Sequence, residues 1–182
     1  MSRAQGRRRM LAQTAGEAAA ADTSRSIPSA DPTEWGAVLL ALLAVVGLAV
    51  AAYLTSVHYA GTPLFCSDKG TVDCELVLSS AYSVIPGTSV PITVPGMAYF
   101  LVSLALALGQ LRRPHNYGLR QAHAAWAGLG LLTALYLVFV ELVELRTICL
   151  WCTSVHVVIL LTVLITIWRL YPAPARGFRS VT

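Results

Sequence analysis

From Trp35 onward the chain is a succession of long apolar runs separated by polar interruptions. Four runs stand out, at roughly 36–58, 94–111, 122–143 and 149–169, with 23, 18, 22 and 21 residues. A helix needs about 20 residues to cross the hydrocarbon core, so each predicts a membrane-spanning helix. The expected fold is therefore an all-α integral membrane protein, a four-transmembrane-helix bundle occupying 34–170. Residues 1–33, rich in Ala, Arg, Ser and Pro without apolar periodicity, read as a disordered tail, and 171–182 as a second one. The stretch from Leu11 to Ala21 is too rich in alanine and too polar for a secretory apolar region.

The interruptions differ in kind. The longest, 59–93, opens with turn chemistry at Gly61-Thr62-Pro63 and Ser67-Asp68-Lys69-Gly70, which predicts a mobile segment around Cys66. Glu75 to Ile85 then places Leu76, Val77, Leu78, Ala81, Tyr82, Val84 and Ile85 among small polar residues. That pattern predicts a short half-helix lying on the membrane and capping the bundle. Pro86-Gly87, Pro91 and Pro95-Gly96 lead the chain into the second span. The other interruptions are a basic turn at 111–120 and the brief Glu144-Leu145-Arg146-Thr147.

Composition removes the soluble classes: 56% of residues are hydrophobic, only 12% charged, and the mean hydropathy is +0.65. A net charge of +4 raises the question of nucleic acid, but the positive residues flank apolar spans and cluster on no soluble domain. Arg3, Arg7, Arg8, Arg9 and Arg25 precede the first span, Arg112, Arg113 and Arg120 lie between the second and third, and Arg169, Arg176 and Arg179 follow the fourth. Only Lys69 and Arg146 fall on the opposite side. The positive-inside bias thus predicts a cell-membrane protein with both termini cytoplasmic and loop 59–93 outside. Trp35, Trp126, Trp151 and Trp168 fall near span ends, as interfacial anchors do.

That topology puts all four cysteines on the outer, oxidising side, as the pairs Cys66 with Cys74 and Cys149 with Cys152. The second pair is a CxxC at the start of the last span. There Cys149 meets the free N–H groups and positive dipole end of a helix, which favour the thiolate, and faces the water, while Cys152 lies about a turn deeper and faces the interior. Seven residues between Cys66 and Cys74 suit a zinc knuckle poorly, and Thr153 stands where a c-type haem motif needs histidine. Two inert disulfides stapling the outer face are the plainer alternative, although a CxxC ring restrains little chain. Exchange between the two pairs uses every cysteine: electrons enter at the loop pair, pass to Cys149 and Cys152, and leave Cys152 for an apolar two-electron carrier, a quinone held between the helices.

Taken together, Cys66-x7-Cys74, Glu75-Leu76-Val77-Leu78-Ser79-Ser80-x-Tyr82, Pro95-Gly96-x-x-Tyr99 and a CxxC opening the last of four spans resemble the vitamin K epoxide reductase family, in particular its bacterial homologues, over about 35–170. The resemblance implies a four-helix bundle around a quinone (menaquinone or ubiquinone), with Cys66 and Cys74 as shuttle pair and Cys149 and Cys152 as active-site pair. It implies oxidation of a DsbA-like thioredoxin-fold protein, here a separate protein, by a chain acting as a monomer. Ser80, Tyr82, Trp151 and His156 are the side chains expected at the quinone, with His58 and Tyr136 behind them. Glu141, Glu144 and Arg146 read as interfacial charges at the outer mouth. Two departures from the vertebrate enzymes point away from epoxide reduction, the alternative activity: Val90-Pro91-Ile92-Thr93 carries no asparagine, and His156 stands in place of a tyrosine.

Overall fold

A computed structural model describes residues 32–62, 64–66 and 70–171. The expected tails lie outside these residues, except that the first helix already begins at Pro32. The elements in chain order are α1 (Pro32–Ala60), α2 (Cys74–Ser79), a 3-10 turn (Ala81–Ser83), α3 (Thr93–Arg112), α4 (Tyr117–Phe139), a wider π-type turn (Val140–Glu144) and α5 (Leu150–Leu170). Among the described residues, four helices are long and apolar enough to cross a membrane: α1, α3, α4 with its π turn, and α5. The all-α, four-span architecture expected from the hydropathy pattern is the one found.

The long helices pack as a four-cornered bundle, α1 against α3 and α5, and α4 against α3 and α5. Small residues line the inward stripes. On α4 the stripe is His123, Ala127, Gly130 and Ala134, spaced by three and four as a helix face requires. The core is built from Ala51, Phe100, Ala134, Val158 and Ile159. Leu42, Val46, Leu132, Leu135, Leu160 and Leu164 stay exposed on the outside, where lipid tails cover them.

Helix ends explain where expectation and structure differ. The third span starts at Tyr117, five residues before the apolar run, because the Asn116 side chain accepts the Leu119 N–H at 3.2 Å. The capping half-helix is shorter than 75–85. Asp73 starts it by accepting the Leu76 N–H at 2.9 Å. Ser80, with ψ 158°, ends it, and its hydroxyl donates to the Val77 carbonyl at 2.8 Å.

At the end remote from the cysteines the helices are joined by polar side chains. Gln110 on α3 bonds His123 Nδ1 on α4 at 2.9 Å, and its carbonyl oxygen accepts from the Arg169 guanidinium on α5. All three side chains are buried.

Candidate redox site

The site is assembled at the opposite end of the bundle, where α5 begins. Cys149 is the residue that caps this helix, and its sulfur accepts the Cys152 N–H at 3.3 Å. The Cys152 thiol and the Cys152 and Trp151 N–H groups hydrogen-bond its sulfur and hold Cys149 below the ordinary thiol range, against burial and the nearby Glu141 carboxylate, which push it up.

The loop pair is a closed Cys66–Cys74 disulfide, while Cys149 and Cys152 are free thiols. What aligns the pairs is a backbone clasp. Thr71 O accepts both the Ile148 N–H at 2.9 Å and the Thr147 hydroxyl at 3.0 Å, and the Asp73 N–H donates to Ile148 O at 3.3 Å. Val72 and Ile148 form a parallel bridge. Cys74 and Cys149 each follow a member of the last bonded pair. Both are fully buried, so Cys149 does not face the water as expected, since the segment 71–73 is bonded across the residues just before it; Cys66 and Cys152 are partly accessible.

A second strap runs from Trp151, whose indole N–H donates to Phe65 O at 3.0 Å and whose ring lies 4.9 Å from that of Tyr53. Trp151 thus holds the residue beside Cys66, and it is not among the residues lining the cavities below. Phe65 itself is 89% exposed.

Cys152 borders two hollows. The larger, about 550 Å³, is enclosed by all four long helices and lined by apolar side chains, with Thr93, Tyr99, Thr133, Cys152 and His156 as its polar members. Size and lining are those of a small-molecule site. A quinone head group fits this donor set: flat apolar walls from Phe100 and Trp126, a thiol, and a histidine one turn beyond it. The smaller hollow, about 70 Å³, lies under the capping segment between His58, Ser80, Tyr82, Glu141 and Cys152. A third, of about 340 Å³, runs along α4 and α5 past Glu141 and His156.

Of the residues expected at the quinone, His156 lines the larger cavity, and Ser80 and Tyr82 line the smaller one with His58. Tyr136 is 56% exposed on the outside of α4 and is not among the lining residues. Glu141 requires a correction. It is not an interfacial charge: only 6% of its surface is exposed, and it borders the small hollow together with Cys152. The inward stripe of α4 continues from Ala134 to position 141 seven residues on, a signal legible in the sequence. Thr93 and Tyr99 were missed as well. Thr93, in the stretch where the vertebrate asparagine is absent, accepts the Thr55 hydroxyl at 2.7 Å and lines both cavities that Cys152 borders.

A polytopic membrane protein with a disulfide clasped against a CxxC at the lip of an apolar cavity belongs to the class of membrane redox enzymes. The model of the vitamin K epoxide reductase family matches residues 38–167, and the chain belongs to that family. It is accordingly a multi-pass membrane oxidoreductase, and enzymes of this family use a quinone or vitamin K as substrate or cofactor.

Proposed function

We propose that this protein is a thiol-disulfide oxidoreductase that reoxidises a DsbA-like thioredoxin-fold protein outside the cytoplasm and passes the electrons through Cys66 and Cys74, then Cys149 and Cys152, to menaquinone or ubiquinone. The observation that carries the reading is the clasp, which bonds Asp73 to Ile148, the residues directly before buried Cys74 and buried Cys149, while Cys152 forms part of the wall of the four-helix cavity. The arginine distribution supports the sidedness, with termini inside and cysteines outside.

The exchanges balance as follows. A partner thiolate attacks Cys66, the more accessible loop sulfur, and Cys74 leaves as thiolate. The partner's second thiol attacks the mixed disulfide and releases Cys66, so the partner leaves oxidised and the loop pair holds two electrons. Cys74 then attacks Cys149 of a closed CxxC, and Cys152 is released. Cys66 attacks the Cys74 sulfur, Cys149 departs, and the loop disulfide is restored with the CxxC reduced. A depressed thiol pKa makes Cys149 a good leaving group in that last exchange. The structure has this final arrangement, a closed loop pair and an open CxxC.

A quinone in the cavity supplies the two-electron acceptor that returns the CxxC to a disulfide. Thr93, Tyr99, Thr133 and His156 are the polar side chains able to hold its oxygens, and Phe100 and Trp126 flank its ring. Stopped-flow absorbance of the reduced, purified protein mixed with a short-chain quinone tests the reading. Reduction lost in Cys149→Ser and in Cys152→Ser supports it; reduction that persists in either variant refutes it.

A further inference from the structure

The Cys152 thiol lies against the Cys149 sulfur and shares the small hollow under the capping segment with the Glu141 carboxyl. Glu141 is an acid in the membrane-spanning part of the chain, buried to 6% exposure, and the exchanges above give it no task. It sits at the first turn of the π-type segment, a local widening that recurs at functional sites. Backbone bonds fix it: the Thr147 N–H donates to Glu141 O at 3.0 Å, and the Leu145 N–H to Val140 O at 2.9 Å. It borders the small hollow together with Cys152 and the outer groove together with His156. A buried carboxyl within a membrane helix that shares a hollow with a reacting thiol marks a proton-handling position.

We propose that Glu141 is the catalytic proton-exchange partner of Cys152, taking the thiol proton when the CxxC closes and returning it when the pair is reduced. The proposal rests on the redox reading above. When Cys149 and Cys152 join, two electrons leave for the quinone, and two protons must be accounted for. Cys149, held toward the thiolate, has already given its proton to the aqueous side, and the Cys152 proton passes to Glu141. Reduction of a quinone would consume two protons, matching the one left on Glu141 and the one already released from Cys149. The titratable side chains around Glu141 are Cys149 and Cys152 from α5, His58 from α1 and Tyr82 from the capping segment in the small hollow, and His156 from α5 in the groove. The start of α3 contributes Thr93, which does not titrate.

Two readouts on the full chain in detergent decide the matter, using Glu141→Gln and Glu141→Asp. The first is the pH–rate profile of quinone reduction by the reduced protein. Glu141→Gln should slow it about 10²-fold and remove the limb that reports the carboxyl, and Glu141→Asp should restore most of the rate. The second needs no quinone: the pH dependence of Cys152 alkylation by N-ethylmaleimide, read by peptide mass. Exchanging a carboxylate beside the thiol for an amide removes one negative charge, so the alkylation profile should move to lower pH even as turnover slows. A merely structural role does not move the two readouts in opposite directions. An unchanged rate profile in Glu141→Gln overturns the proposal, and so does an alkylation profile that coincides with that of the parent. If the parent itself reduces no quinone, the redox reading fails while alkylation still decides the place of Glu141. Should Glu141→Gln not fold, Glu141→Ala, which also removes the charge, must displace the alkylation profile to lower pH, and coincidence with the parent there overturns the proposal too.

Discussion

The clasp between residues 71–73 and 147–148 can be weakened without touching a cysteine. Thr147 is 7% exposed, and its hydroxyl donates to Thr71 O at 3.0 Å. Thr147→Val keeps the branched shape and removes this donor. The Thr71 carbonyl is not orphaned, because the Ile148 N–H still reaches it at 2.9 Å. The loss is therefore that of an ordinary hydrogen bond, about 1 kcal/mol, and not the larger penalty of a stranded polar group. One kilocalorie corresponds to roughly a fivefold change in an equilibrium constant.

The assay uses a Cys66→Ser/Cys152→Ser background, in which Cys74 and Cys149 are the two cysteines left. Equilibration with glutathione buffers and mass analysis of the bonded fraction give the effective concentration of one thiol at the other. Adding Thr147→Val should lower it about fivefold. Ser154→Ala is the control, since the Ser154 hydroxyl donates to Leu150 O at 2.9 Å within α5 and does not join the segments. Equal effective concentrations with and without Thr147→Val would refute the reasoning, as would a Cys74–Cys149 bond that never forms.

Three further outcomes follow from the packing and the electrostatics. In the reduced protein, Cys152→Ala should raise the Cys149 pKa, because the Cys152 thiol is the leading group holding it down; thiolate ultraviolet absorbance against pH reads the shift. By linkage, the contribution of Cys149 to the stability of the reduced protein should rise with pH from its depressed pKa toward the unfolded thiol value of about 8.5; urea melts at several pH values below that value check the sign. Gly47→Val should destabilise the bundle by about 1–3 kcal/mol, since a Cβ at Gly47 runs into the buried Phe100 ring. Thermal unfolding in detergent should show the loss, with Phe100→Leu partly reversing it in the double variant.

The spans were legible because bilayer thickness fixes their length, and one crossing of hydrocarbon leaves an unbroken apolar run whatever the tertiary packing. Where the chain leaves hydrocarbon, that signal stops. Tyr117 to Gln121 is helical beyond the apolar run, held by one Asn116 side chain, and its polar composition concealed it. The cysteine pairs were readable because only a few residue types do sulfur chemistry. Their alignment was not, for the clasp is made chiefly by backbone groups that every residue carries, between segments 76 residues apart. Glu141 is the intermediate case. Its charge suggested the interface, yet its register with Ala127, Gly130 and Ala134 pointed inward, and register prevails because the buried face of a helix follows geometry.

The same geometry explains how a bundle in lipid keeps an open cavity at its centre. Lipid tails are as apolar as leucine, so helices here gain little from hydrophobic burial against one another and are held by close backbone approach and polar bonds. Gly47 receives the Phe100 ring, and Gly130 receives Tyr99, whose ring stacks on Trp126 with centroids 5.6 Å apart. The Trp126 indole N–H in turn donates to Tyr99 O at 3.1 Å, joining α4 to α3. Thr55 and Thr93 join α1 to α3 beside the larger cavity, and the Gln110 bonds join α3 to α4 and α5 at the far end. These attachments lie above, below and beside the hollow that Cys152 and His156 border, so the helices are tied at both ends and the space between them need not collapse to hold them together.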